Sequence, residues 1–343
     1  MSSTGRRGKT GRKNVKPMRE NQMTRYGAIA KALPFTPGKI FFVLNPSDPE
    51  LGDFMSEFPV DRDGVSRVYT SLKEAYDATV TNRNDVIVLN GNGVHTLTAM
   101  LTVSKSRVHF IGMDALNGDL RTYGPASKIN MGVTTAITDV FMVKNTGVRN
   151  SFRGIKFAND NTLTQNVAAV GEGGEYATYR NCEFYDSTRL TSDTHAELVL
   201  NGDSAQFYGC TFGSLADAVS GDKIRPAVLM TAGTVDTALV SRDVLFDNCK
   251  FWKKAGGTTT AFIKIAASAD LERGMELKDC TFIASILGST PAVAIDSATL
   301  TNGNILLTGM TVACKCTKIA TATGILNGTP ARVATATIAI QAT

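Results

Sequence analysis

Phe152-Arg153-Gly154-Ile155-Lys156-Phe157 is the first full statement of a phrase that this chain repeats. It returns as Tyr179-Arg180-Asn181-Cys182-Glu183-Phe184 and as Phe207-Tyr208-Gly209-Cys210-Thr211-Phe212. The later copies are Phe246-Asp247-Asn248-Cys249-Lys250-Phe251, Leu277-Lys278-Asp279-Cys280-Thr281-Phe282 and Leu307-Thr308-Gly309-Met310-Thr311-Val312. The pattern is apolar, any residue, Gly/Asn/Asp, Cys/Ile/Met, any residue, Phe/Val. Measured at its fourth position, the copies lie 27, 28, 39, 31 and 30 residues apart. A constant phrase at near-constant spacing marks a solenoid, in which each repeat buries its apolar face on its neighbours.

Side chains alternate between the two faces of a strand, so the fourth and sixth residues point inward together. The residue between them (Lys156, Glu183, Thr211, Lys250, Thr281, Thr311) is polar in every copy and is expected to face water. A second phrase recurs between copies of the first. It reads Ala196-Glu197-Leu198-Val199-Leu200, Ala227-Val228-Leu229-Met230, Ala261-Phe262-Ile263-Lys264-Ile265 and Ala292-Val293-Ala294-Ile295. Val140-Phe141-Met142-Val143 and Val167-Ala168-Ala169-Val170 are weaker members. Each coil therefore has at least two inward-facing strands. The long interval before Cys249 puts surplus residues around 213–226 and 234–242, where loops on one face are expected to carry a partner contact.

Four of the six cysteines, Cys182, Cys210, Cys249 and Cys280, share the fourth slot of the phrase. Ile155 and Met310 hold that slot in other copies, which points to stacked reduced thiols acting as small hydrophobes. Cys314-Lys315-Cys316 lacks the spacing and the second ligand pair of a zinc site. No metal or other cofactor is expected.

Charge is unevenly placed. Residues 1–31 hold nine Lys/Arg against Glu20 alone, whereas the rest of the chain holds 27 basic and 30 acidic residues. The body is thus close to neutral, and the basic character belongs to a tail. Residues 1–35 read as an extended arm, with Arg6, Arg7, Lys9, Arg12, Lys13, Lys16 and Arg19 set among Ser, Gly, Thr and Asn. Such a segment has too little to bury to order itself, and its cations suit an acidic protein groove or phosphates. No apolar run is long enough to cross a bilayer, and no secretory leader is expected.

Residues 36–70 read as a linker with a first strand at Gly38–Leu44. Asp61-Arg62-Asp63-Gly64 is a turn rather than a calcium loop, because the later ligand positions are missing. Residues 71–84 read as a helix that covers the open end of the core. It opens on the capping box Ser71-Leu72-Lys73-Glu74 and places Leu72, Ala75 and Tyr76 on one face. The repeats then run over residues 85–343, about nine coils, and fade into Ala/Thr alternation near 334–340.

Asp85–Leu89 ending at a Gly turn, the strand around Leu101 and Val103, and Val108-His109-Phe110-Ile111-Gly112 resemble the opening coils of right-handed parallel β-helix proteins of the pectate-lyase type. The recurring Asn/Gly/Asp-Cys-x-Phe phrase is similar to their later coils, and the resemblance covers roughly residues 65–330. It implies an all-β, right-handed parallel β-helix.

Enzymes of that fold need acidic calcium ligands with an Arg or Lys base, or two or three close carboxylates. Glu183, Asp186, Asp193 and Asp203 are scattered over turns, although Asp186 and Asp203 could converge across coils. His95, His109 and His195 share no local motif with another titratable group. Gly171-Glu172-Gly173-Gly174 reads as a turn between coils. No catalytic residues are therefore expected.

A solenoid with a basic arm and no evident active site resembles the β-helix proteins of tailed-phage virions. That resemblance implies a non-enzymatic structural protein, a homotrimer located in the virion and contacting capsid or other virion proteins. Head decoration is preferred over a tail spike, because the repeats run to the C-terminus and the arm is small for a folded adaptor. The alternatives are a tail spike that binds or degrades host polysaccharide and a protein that binds nucleic acid through its arm.

Overall fold

The computed structural model describes residues 38–61, 63–91, 93–113, 125–131, 140–159, 167–186, 194–213, 225–253, 261–284, 293–297, 300, 303–314, 316, 318–320 and 325–327. The basic arm lies outside them, as does the Ala/Thr stretch 334–340.

Three parallel sheets line the column. The first contains Val68–Tyr69, Ile40–Val43, Asp85–Leu89, Val108–Gly112, Ser151–Arg153, Thr178–Arg180, Gln206–Tyr208, Ser241–Asp247, Leu271–Lys278, Gly303–Thr308 and Ile325–Asn327, in that order. The second runs from Val94–Leu97 to Val312–Cys314, and the third from Leu101–Val103 to Lys318–Ala320. Among the described residues these strands make eight complete three-stranded coils, and Ile325–Asn327 begins another. Nine strand spacings separate Ile40–Val43 from Ile325–Asn327 in the first sheet, which at about 4.8 Å each gives a column about 43 Å long. The fold is a right-handed parallel β-helix.

Register explains the phrase. Its first residues stack coil on coil, Phe110 on Phe152, Tyr179, Phe207 and Phe246, with ring centroids 4.7–5.0 Å apart. Its last residues form a second stack, Phe184 on Phe212, Phe251 and Phe282, at 4.6–5.0 Å. Rings of the two rows meet edge to face in the pairs Phe152–Phe157, Phe207–Phe212 and Phe246–Phe251. Between them Cys182, Cys210, Cys249 and Cys280 are buried free thiols. The thiols of Cys182, Cys249 and Cys280 donate to the carbonyls of Phe152, Phe207 and Phe246 on the coil before.

The third residue of the phrase turns the chain from the first sheet to the second. Gly154, Asn181, Gly209, Asn248, Asp279 and Gly309 all have φ between 51° and 61°, the left-handed region that Gly, Asn and Asp tolerate best. That is why those three residue types alternate there.

The last copy departs from the expected alignment. Met310 is 79% exposed, Val312 faces outward and Thr311 is buried. Phe282 pairs with Ala313 rather than Val312, so Met310 is an extra residue in the turn, with its amide held by Asp279 Oδ1. Thr311 takes the cysteine slot, and its hydroxyl donates to Leu277 O as the thiols do one coil earlier. A hydroxyl can make that bond and a methionine cannot.

The first sheet also begins ahead of residue 85, because Phe41 pairs with Ile87 and joins the inward row. Helix α1 (Leu51–Glu57) was not foreseen in the linker. It brings Phe54, with Phe58 beyond its end, against Phe42 on the outer face. Helix α2 (Leu72–Ala78) is shorter than the 71–84 expectation. Ser71 Oγ accepts from Glu74 N, and Tyr76 stacks on Phe110 at the start of the aromatic column. Tyr76 Oη accepts from the amides of Ser104 and Lys105. Lys105 Nζ in turn donates to the carbonyls of Tyr76, Asp77 and Thr79, closing the helix C-terminus.

Phe207→Ala should therefore cost about 3–5 kcal/mol in chemical denaturation, whereas Met310→Ala should stay within about 0.5 kcal/mol of wild type. A comparable loss at both positions would mean that Met310 belongs to the ladder after all.

Candidate functional site

The arm residues Arg6, Arg7, Lys9, Arg12, Lys13, Lys16 and Arg19 lie outside the described residues. Of the carboxylates singled out from sequence, Glu183 receives Lys156 from the coil before at 2.6 Å. Asp203 lies near Arg242 and Arg273, at 3.9 and 3.4 Å. Asp193 and the side chain of Asp186 lie outside the described residues. Asp61 Oδ1 accepts from the amides of Asp63 and Val65, and Lys39 pairs with both aspartates. Lys39 holds the Asp61 carboxyl down at about 2, so this segment is a salt-bridged turn. Among the described residues no three His, Cys, Asp or Glu side chains converge as metal ligands.

The three histidines are buried with local partners. His95 Nε2 meets Asn90 O at 2.8 Å, His109 Nδ1 meets Ser151 Oγ at 2.7 Å, and His195 Nδ1 meets Thr194 Oγ1 at 3.2 Å. Burial lowers the pKa of His109 to about 4, so its ring stays neutral near pH 7.

Two buried acids escaped sequence reasoning. Glu197 and Arg225, both buried, form an ion pair at 2.9 Å. Glu172 is fully buried at the end of its strand in the third sheet. Asn145 Nδ2, Gly174 N and Tyr179 Oη all donate to its carboxylate. Asn150 Nδ2 donates to Asn145 Oδ1, and Val108 N donates to Asn150 Oδ1. The result is one polar thread through successive coils. Tyr179 stands where the neighbouring coils carry Phe152 and Phe207, and its hydroxyl reaches Glu172. Burial outweighs the donors and raises the Glu172 carboxyl to about 7.

A third arrangement is exposed. On the outer face of the first sheet, Ser151, Thr178 and Gln206 are in register, as are Arg153, Arg180 and Tyr208. Two residues earlier on the same coils stand Arg149, Tyr176 and Ser204, each with φ between 56° and 58°. The Arg149 guanidinium lies 5.5 Å from the Tyr176 ring centroid, and that of Arg180 lies 4.1 Å from Tyr208. Both arginines thus rest on a tyrosine of the following coil. The signal was present in the second, unconstrained position of the phrase, where Arg153, Arg180 and Tyr208 follow one another.

No family model matches this chain, and no curated protein matches it. Among solved structures, a pectin methylesterase in complex with a hexasaccharide aligns with a TM-score of 0.50 and 12% identity, over 87% of this chain and 92% of that one. A pectate lyase aligns with a TM-score of 0.51 and 10% identity, over 86% and 80%. The Dettilon tailspike protein aligns with a TM-score of 0.41 and 14% identity, over 81% of this chain and 46% of that one. The pectate lyase and the pectin methylesterase share the parallel β-helix fold with this chain.

Glu172 makes stability depend on pH. Its carboxyl has a folded pKa near 7 against a usual 4.5, so ionisation penalises the folded state as pH rises through that window and is without effect below it. The stability of Glu172→Gln relative to wild type should therefore improve by about 3 kcal/mol between pH 4 and pH 8. Parallel stability profiles for the two proteins would exclude Glu172 as the titrating group.

Proposed function

We propose that this chain is a structural, non-enzymatic protein of a phage virion, a capsid-surface decoration attached through its basic arm. The observation that carries this reading is the segregation of charge: nine cations against one acid in residues 1–31, and a slight acidic excess in the remainder. A column that stacks the same side chains coil on coil resists bending and suits a projecting part. An arm so rich in cations can follow an acidic groove on a neighbouring subunit, gaining most of its binding from charge. The partners are then capsid or other virion proteins, the assembled form is a homotrimer, and the location is the virion. Nucleic acid is a weaker match, since only the arm is strongly cationic.

The carboxylates described above bear on the enzymatic alternative, a tail spike that degrades polysaccharide. Glu183 is tied to Lys156 and Glu197 to Arg225, and a cationic partner that favours the ionised form lowers a carboxylate's basicity.

Removing residues 1–31 should abolish binding to phage particles in co-sedimentation while the circular dichroism melt of the β-helix is retained. Undiminished occupancy would sink the attachment role, and turnover of host surface glycan by the intact chain would favour the tail spike.

A further inference from the structure

Three coils of the first sheet present nine outward positions: Arg149, Ser151, Arg153; Tyr176, Thr178, Arg180; and Ser204, Gln206, Tyr208. Outward side chains repeat about every 6.7 Å along a strand and every 4.8 Å between coils, so the grid measures about 13 by 10 Å. It holds three arginines, two tyrosines and no acid. The next coils differ: Asp243 pairs with Arg273, Asp247 with Lys278, and Glu272 with Arg242. These three acids therefore already have basic partners, while Arg149 and Arg180 contact tyrosine rings.

Stacking on a ring fixes the plane of a guanidinium and leaves its outer N–H groups free to grip a carboxylate as a fork. Little side-chain freedom then remains to be lost on binding. The corner that carries Arg149, Tyr176 and Ser204 is held in left-handed backbone by three residues that are neither Gly nor Asn. Such a conformation costs about 1–2 kcal/mol per residue and fixes where these side chains project. The face is rigid from underneath as well, because Phe152, Tyr179 and Phe207 stack directly below it.

We propose that this face is a docking site for a protein partner that presents carboxylates. Arginine and tyrosine are the residues that dominate the centres of protein interfaces, here ringed by hydroxyl and amide groups. The charge of the grid calls for an acidic occupant. Its limited width, with Asp243, Asp247 and Glu276 on the coils beyond, favours a compact acidic group over a continuous polyanion laid along the column. The site is separate from the arm, so its failure and the failure of arm attachment are distinguishable.

The test uses the full chain with a photo-crosslinking aromatic ketone in place of Gln206, or of Leu306 on the same face as a control. The probe is a fluorescein-labelled oligoglutamate peptide. Labelling is expected at 206 at about tenfold the level at 306, with a loss of about tenfold in Arg149→Glu/Arg180→Glu. It should survive replacement of Arg6, Arg7, Lys9, Arg12, Lys13, Lys16 and Arg19 by Gln. Both reversed arginines are exposed, so the melting curve should be retained; if it is not, Arg149→Gln/Arg180→Gln gives the same comparison. Equal labelling at the two positions, or labelling indifferent to the arginines, overturns the site. Stronger competition by oligothymidylate or alginate than by unlabelled peptide, at equal charge, overturns the protein partner.

Discussion

Everything in this molecule depends on the spacing between adjacent strands, about 4.8 Å, and on the parallel register that carries it. Parallel pairing places each side chain directly over its counterpart one coil earlier. An aromatic ring can stack on an aromatic ring at that distance, and a thiol can reach the carbonyl of the coil before. A residue is thus judged against one fixed neighbour above and one below. The interior becomes a set of columns, each with its own tolerance for size and polarity.

Those columns explain which features could be read from the chain. The Phe152 and Phe184 stacks, the thiol row and the inward strands of the third sheet repeat at the coil period, so each residue type is reported several times. Helix α2 was legible because Ser71 and Glu74 carry their own local signal. The left-handed turn residues were legible as a Gly/Asn/Asp pattern, although only the backbone shows why those types are needed.

What was missed happens once. Helix α1 has no counterpart in another coil, and neither does the extra turn residue, Met310, whose insertion brought Thr311 into the row. Counting from the turn placed Met310 under Cys280, and nothing periodic could reveal the slip. Glu172 was hidden within a glycine-rich turn, since a lone acid there looks solvated until the donors from Asn145, Gly174 and Tyr179 are seen around it. The Arg–Tyr face was overlooked because a pattern built on inward positions treats outward ones as free.

The Glu172 thread has a consequence for how such a chain can change. A tandem array is usually free to lengthen or shorten by copying or deleting whole units. Here Asn145, Glu172 and Tyr179 belong to successive stretches of the winding, and each supplies a group that the next requires. Excising one unit at that point would leave a carboxylate or an amide sealed in the interior without its counterpart. Beyond the buried Glu197–Arg225 pair, the inward columns are rings, thiols and the Thr311 hydroxyl, each bonded to backbone or to a like neighbour, and carry no such dependence. The molecule is therefore modular toward one end and indivisible in its middle, and gain or loss of length is open only where the interior is apolar.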